Sequence, residues 1–322
     1  MTSILITGIS GFVGGHFTQF LLKNKSAFDI HGVSRSEPAW NFIQDKESVL
    51  HSISFHQCDL LNSAKIHAII QEIQPEYILH LASFSSVAQS WRSPLTSFLN
   101  NTNAFHNIVE AVRLQGLKTR ILSIGSSEEY GIVLPGDLPL TEKKPILHEN
   151  PYAVARVSEE YLAHVYAKGY KLDICCTRSF NHIGPGQSDQ FVVSSMARQF
   201  AEMVVQRKKP LIKIGNGSIV RDLVDIDDVI LAYDAILSKG NAGEVYNVCS
   251  GKGSSILDIV EGLSRLTGIP VKVKQDPDLI RPVDNPVLIG SYMKLHNDIG
   301  WKPAIPLEKS LEKIYGYWLN KL

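Results

Sequence analysis

Two stretches of this chain carry side chains suited to moving a proton. Gly125-Ser126-Ser127-Glu128-Glu129-Tyr130-Gly131 follows an apolar run, and Asn150-Pro151-Tyr152-Ala153-Val154-Ala155-Arg156 opens an amphipathic segment. Residues four apart on a helix share a face, so Tyr152 and Arg156 point the same way. A phenol beside a cation gives up its proton more readily, which suits it to exchange a proton with a hydroxyl or ketone oxygen. Ser126, at the end of a neighbouring strand, can hold that oxygen. A lone tyrosine on a helix is usually packing, so the weight lies on the set.

Proton transfer at a C–OH group goes with hydride transfer, and the N-terminus offers a place for a hydride carrier. Thr7-Gly8-Ile9-Ser10-Gly11-Phe12-Val13-Gly14 places Gly-x-x-Gly-x-x-Gly between a strand and a helix. Gly8 permits the tight turn, Gly11 lets a pyrophosphate approach the backbone, and Gly14 lets helix and strand pack closely. The helix N-terminus, starting at Phe12 and Val13, presents free N–H groups and partial positive charge to phosphates. A nicotinamide dinucleotide is therefore expected here. The second strand ends Val33-Ser34-Arg35-Ser36, without the acidic residue that would bind a ribose 2′-hydroxyl. Ser34 and Arg35 suit a 2′-phosphate, hence NADP(H), although Arg35 can also be read as a solvated surface arginine. Asp59 and Leu60, after the third strand, are candidates to contact adenine, or form a plain turn.

These residues need a scaffold, and the hydrophobic pattern supplies one. Strands are expected at Ser3–Thr7, Asp29–Ser34, Ile53–Gln57, Tyr77–Leu81, Thr119–Ile124 and Leu172–Thr177. Helices are expected between them, about Gly11–Lys23, Ser63–Ile73, Pro94–Leu114 and Tyr152–Lys168. Such alternation means parallel strands with right-handed crossovers. The fold class expected is α/β, a Rossmann-type doubly wound parallel sheet with a smaller C-terminal α/β substrate lobe. Residues 1–178 form the dinucleotide domain, which the chain re-enters around 219–249, and 179–322 form the substrate lobe. Lys plus Arg equals Asp plus Glu, 32 each, which leaves no basic footprint for nucleic acid or anionic membrane. Cys58, Cys175, Cys176 and Cys249 have neither zinc nor disulfide spacing and read as buried apolar residues in a reducing compartment, with Cys175 and Cys176 facing opposite ways. No metal site is expected. No apolar run approaches a membrane span, and no basic-then-apolar leader pattern is seen, so a cytoplasmic enzyme is expected.

Taken together, the glycine turn, His80-Leu81-Ala82-Ser83, Gly125–Gly131, Arg178-Ser179-Phe180-Asn181-His182-Ile183-Gly184-Pro185-Gly186-Gln187, Val220-Arg221-Asp222 and the stretch from Leu279 to Pro303 resemble the extended short-chain dehydrogenase/reductase family along the whole chain. The likeness is greatest to its branch that reduces GDP-linked 4-keto-6-deoxy sugars. It implies NADPH-dependent reduction of the C4 ketone of a GDP-4-keto-6-deoxy-hexose, with GDP-D-rhamnose as product. It also implies that Leu81 and Ala82 line the cofactor and that Ser126 and Tyr152 meet the ketone oxygen. Asn181 would lie near the sugar or pyrophosphate, and Arg221 and Arg281 would hold the diphosphate. A homodimer joined by a four-helix bundle, from the helices around 94–114 and 152–168, is implied as well. One position departs from the family's Tyr-x-x-x-Lys: Arg156 keeps the charge but cannot relay a proton. Glu128 stands where the related GDP-mannose 4,6-dehydratases carry a catalytic base, so a dehydratase or an epimerase is the alternative, and a non-catalytic nucleotide-binding protein a third.

The cofactor expectation is testable. NADPH should bind more tightly than NADH, and Arg35→Asp should reverse that order by replacing an attraction with a repulsion. Equal or tighter binding of NADH to the wild type in a fluorescence titration would remove Arg35 from the cofactor site.

Overall fold

The computed structural model describes residues 2–24, 28–147, 150–279 and 285–322. Apolar β1 (Thr2–Thr7) enters a tight turn and then α1 (Phe12–Asn24). The chain continues through β2 (Phe28–Ser34), α2 (Lys46–His51), β3 (Ser54–Gln57), α3 (Ser63–Ile73) and β4 (Tyr77–His80). Next come α4 (Val87–Arg92), α5 (Pro94–Phe98), a π-helical turn at Leu99–Asn103, and α6 (Ala104–Leu114). Then β5 (Arg120–Ser126) is followed by a 3₁₀ turn at Ser127–Tyr130, α7 (Pro151–Tyr170) and β6 (Asp173–Ser179).

Beyond this point the elements shorten: β7 (Asn181–Ile183), α8 (Val192–Val205), β8 (Leu211–Ile214), β9 (Val220–Asp225), α9 (Ile226–Lys239) and β10 (Val245–Val248). The chain ends with β11 (Gly253–Ser255), α10 (Ile256–Thr267), β12 (Lys272–Gln275), β13 (Val287–Leu288), α11 (Met293–Ile299) and α12 (Leu307–Lys321).

The main sheet has seven strands in the order β10-β6-β5-β4-β1-β2-β3, and every pairing in it is parallel. This is the doubly wound Rossmann-type α/β fold. Its central strands are buried on both faces, as parallel sheets require, while the edge strand β3 is partly exposed. Ile4 and Ile6 of β1 face one core with α1 and α9, whereas Leu5 faces the other with α3, α6 and α7. Cys175 and Cys176 divide between these two cores as their adjacency predicts, and all four cysteines are free and buried. A third core, under α8, α10 and α12, supports the elements after β6. There β9 pairs with β7, β11 and β13, so Arg221 on β9 lies beside the strand that begins at Asn181.

The single helix expected over 94–114 is instead two helices joined by the π turn. The reason is polar. Asn101 is fully buried there; its Nδ2 donates to Ser97 O at 2.8 Å while its Oδ1 accepts the Phe84 N–H at 3.0 Å. The widened turn carries that amide to the segment leaving β4. Neither α2 nor α4 was expected; each is six residues long, too short to show a clear period.

Candidate active site

The site collects at the C-terminal ends of β1, β2, β4 and β5, where open parallel sheets bind ligands. The turn after β1 is fixed by backbone hydrogen bonds, Gly8 N–H to Val33 O at 2.7 Å and Gly11 N–H to Gly8 O at 2.9 Å. Gly8 has φ +70°, and a Cβ there would sit 2.7 Å from the Ala82 nitrogen. A Cβ on Gly14 would lie 2.4 Å from Ile9 O. Both positions therefore require glycine, and the turn leaves the N-terminus of α1 open. These residues fit a dinucleotide pyrophosphate.

The neighbouring candidates divide. Ser34 is nearly buried and its hydroxyl accepts the Ser10 N–H at 3.2 Å, so it braces the glycine turn. Arg35 is exposed, directly after β2, and its carbonyl accepts from Gln57. The Asp59 carboxylate accepts the Leu61 N–H at 3.0 Å, as a turn aspartate does, and Leu60 is packed in the core. Leu81 and Ala82 run alongside the turn, with the Leu81 N–H bonded to Thr7 O.

The candidate proton-transfer group is compact. Asn150 caps α7, its Oδ1 accepting the Ala153 N–H at 2.8 Å while its Nδ2 donates to Glu128 Oε2 at 3.2 Å. Tyr152 follows on the first turn. Arg156 Nε donates to the Tyr152 hydroxyl at 3.2 Å, Nη2 to Ser83 Oγ at 2.6 Å and Nη1 to Glu159 Oε2 at 2.8 Å. Tyr152, Arg156 and Glu159 are all within 5% of full burial. Burial alone would lower the guanidinium pKa, but its interactions with Tyr152 and Glu159 outweigh it and raise it. Burial raises the Glu159 carboxyl above its usual range against the pull of Arg156 and Ser123. The other oxygen of Glu159 accepts from the Ser123 hydroxyl and lies 3.9 Å from His80 Nε2. His80 Nδ1 is 2.7 Å from Thr7 Oγ1.

Ser126 sits at the end of β5, its hydroxyl accepting the Glu128 N–H at 3.2 Å and its own N–H donating to Glu129 Oε1 at 2.6 Å. Glu129 is fully buried; burial, then the nearby Glu160 carboxylate, pushes its carboxyl well above the ordinary range. Arg178 grips Glu160 with two bonds, at 2.9 and 2.7 Å.

Outside the seven-stranded sheet, Asn181 is exposed at the start of β7, and in the parallel ladder it pairs with Leu223, two residues from Arg221. Arg221 is largely buried, its Nη1 donating to Val220 O at 2.9 Å and Asn285 O at 2.8 Å. Asn285 in turn bonds Gly131 O at 2.7 Å and the Val133 N–H at 3.0 Å, tying β9 to the turn that carries Glu128. Arg281 lies outside the described residues. Among the described residues no three His, Cys, Asp or Glu side chains gather as a metal site, and no helix is long and apolar enough to cross a membrane.

Ser83, Asn101, Glu159 and Asn285 were not singled out from the sequence. Glu159 had a readable signal: three residues after Arg156 and seven after Tyr152, it falls on the same helical face.

His80 makes the buried cluster sensitive to acid. Burial, then the Arg156 charge, holds its imidazole down to about 3 against an ordinary 6.5. Below about pH 6.5 the unfolded chain takes up a proton that the folded chain refuses, so this contribution is full above that pH and is lost as pH falls toward 3. His80→Gln should therefore flatten the fall in unfolding free energy between pH 6.5 and 4, by up to about 1.4 kcal/mol per pH unit. Urea melts across that range measure it, and parallel slopes for the two proteins would contradict the assignment.

Comparison with known proteins places this fold in a family. Residues 5–314 match the family model for GDP-mannose 4,6 dehydratase. The chain is 31% identical to GDP-6-deoxy-D-mannose reductase of Pseudomonas aeruginosa, over 99% of this chain and 98% of that protein. It is 27% identical to a GDP-mannose 4,6-dehydratase of Yersinia enterocolitica, over 96% and 91%. The structure of the Pseudomonas aeruginosa protein RMD complexed with NADPH superimposes with a TM-score of 0.87 at 30% identity, covering all of both chains. With its glycine turn, its parallel sheet and a buried Tyr152–Arg156 pair beside them, the chain belongs to the GDP-mannose 4,6-dehydratase family, within the extended short-chain dehydrogenases/reductases.

Proposed function

We propose that this protein uses NADPH to reduce the C4 ketone of a GDP-linked 4-keto-6-deoxy-hexose, with GDP-D-rhamnose as product. The observation that carries this is the Arg156 Nε bonded to the Tyr152 hydroxyl at 3.2 Å, beside a turn built for a dinucleotide. The likeness to the Pseudomonas reductase, and to a structure complexed with NADPH, supports the cofactor and the direction of reaction.

In this reading the glycine turn from Gly8 to Gly14, with Arg35 beyond it, holds the dinucleotide, whose nicotinamide supplies the hydride. Tyr152 donates its hydroxyl proton to the ketone oxygen, and Ser126 hydrogen-bonds the same oxygen. Arg156 compensates the charge left on the phenol oxygen without itself giving up a proton. Arg221, with Asn181 beside it, faces the substrate, and Arg281 completes the grip on the diphosphate. Binding energy from that remote diphosphate aligns C4, so a free keto sugar should react far more slowly.

Glu128 favours a second reading, a 4,6-dehydratase. Its carboxylate accepts from the amide of Asn150, which caps the helix that carries Tyr152, and this supports a base near that helix. NADPH oxidation with dehydratase-treated GDP-mannose, followed by NMR of the product, separates the two. Conversion of untreated GDP-mannose to the 4-keto sugar without net NADPH use would make the protein a dehydratase. Under the reductase reading, Tyr152→Phe should lower kcat by on the order of 10²-fold or more.

The exposed face of α7 supports the homodimer reading. Val154, Tyr161 and Val165 form one exposed apolar stripe on it, 40%, 57% and 55% accessible, and Leu95 of α5 is 70% accessible. A second copy placing the same helices against these would form a four-helix bundle. Tyr161→Lys with Val165→Lys should shift the protein to monomer in light-scattering chromatography; a wild type that already runs as a monomer would exclude the bundle.

A further inference from the structure

We infer that Glu159 is a positioning residue that allows an arginine, in place of a lysine, to serve Tyr152. This deepens the reading of Tyr152 as proton donor and rests on it. A guanidinium has three nitrogens in one rigid plane, and each must find an acceptor when buried. Here Nε takes the Tyr152 hydroxyl and Nη2 takes Ser83 Oγ. The remaining nitrogen, Nη1, bonds Glu159 Oε2 at 2.8 Å.

Among the described residues Glu159 is the one carboxylate in an ion pair with Arg156. Its own place is set from outside the helix. Ser123 of β5 donates to its second oxygen, and His80 of β4, itself bonded to Thr7 of β1, stands behind it. The plane of the guanidinium is thus held by α7, by the segment leaving β4 and, through Glu159, by the middle of the sheet. Tyr233, whose hydroxyl is bonded to Ser179 at 2.8 Å, also feels Arg156 and Tyr152.

A lysine at 156 would bring one nitrogen. It could serve the phenol and Ser83, but the Glu159 carboxylate would then lie buried without its cation. Residues 156 and 159 therefore act as one unit. Changing either alone displaces or unbalances the charge beside Tyr152, and changing both relieves the mismatch.

The test is a double-mutant cycle on the full-length enzyme: Arg156→Lys, Glu159→Ala and the double variant, with Glu159→Gln as the near-isosteric variant should alanine not fold. Activity is followed by NADPH oxidation with dehydratase-treated GDP-mannose. Each single change should lower kcat by roughly 10- to 100-fold, the range of a compromised general acid, with KM for the sugar little altered and the pH profile displaced. The double variant should exceed either single one by about tenfold, because the two sites are coupled. Single effects that multiply in the double variant, or a Glu159→Gln enzyme with wild-type kcat and pH profile, would overturn the proposal.

If the wild type consumes no NADPH with this substrate, the functional reading fails, and Glu159 is tested without turnover. The ultraviolet absorbance of tyrosinate is titrated for wild type and for the Glu159 variant, each against its own Tyr152→Phe counterpart. Ionisation of Tyr152 should move to higher pH when Glu159 no longer holds Arg156. An unchanged or lower titration overturns the positioning role.

Discussion

A guanidinium cannot shed its proton, so an arginine in the interior brings a full charge that the fold must neutralise. Arg156 is 4% exposed, and the residues around it are arranged to meet that demand. An uncompensated buried charge left by removing one partner of such a pair costs about 3–5 kcal/mol. The pair is therefore a constraint on the whole middle of the sheet as well as on Tyr152. Glu159 must stay ionised, so it needs Ser123. His80 must stay neutral beside Arg156, and burial with that neighbouring charge keeps it so. Thr7 of β1 is bonded to His80 of β4, which stands 3.9 Å from Glu159, and Glu159 is bonded to Ser123 of β5 and to Arg156, so side chains of three adjacent strands stand behind the helix that carries Tyr152.

The glycine turn is positioned by close approach. Gly8 lies so near the segment leaving β4 that no side chain fits between it and Ala82. That same segment carries Ser83, which holds Arg156, and Phe84, whose N–H is held by Asn101. A side chain on Gly8 would push this segment away and disturb Ser83, the next residue, and with it the cation that Ser83 holds. The π turn in the helix expected at 94–114 has the same origin. Its geometry is less favourable than an unbroken α-helix, and it persists where it brings a buried amide to a backbone group that would otherwise lack a partner.

The parallel sheet, the succession of its strands along the chain up to β6, and the glycine turn were legible in the sequence because they obey short periods and local rules; the order of the strands within the sheet was not read. Apolar runs alternating with amphipathic stretches leave few topologies, and glycines are demanded by backbone contacts that begin within a few residues. Tyr152 and Arg156 were legible for a similar reason, being one helical turn apart. What could not be read is non-local. Ser83 is 73 residues from Arg156, Ser123 is 36 from Glu159, and Asn285 is 154 from Gly131. No spacing rule connects such residues; the fold alone brings them together. Ser34 shows the converse, since its place after the second strand suggested a phosphate ligand while its hydroxyl also braces the backbone of the glycine turn.

Asn285 gives these distances a mechanical meaning. It accepts from the Val133 N–H, donates to Gly131 O and offers its own carbonyl to Arg221. Arg221 sits on β9, outside the seven-stranded sheet, whereas Gly131 closes the turn that carries Ser126 and Glu128 on the end of β5. A group that pulls on the Arg221 guanidinium therefore pulls, through one asparagine, on the loop next to the proton-transfer residues. If Arg221 grips a diphosphate as proposed, these three hydrogen bonds would link that binding to the alignment of the reacting carbon. Binding energy gained far from the reaction can then be used where the proton moves.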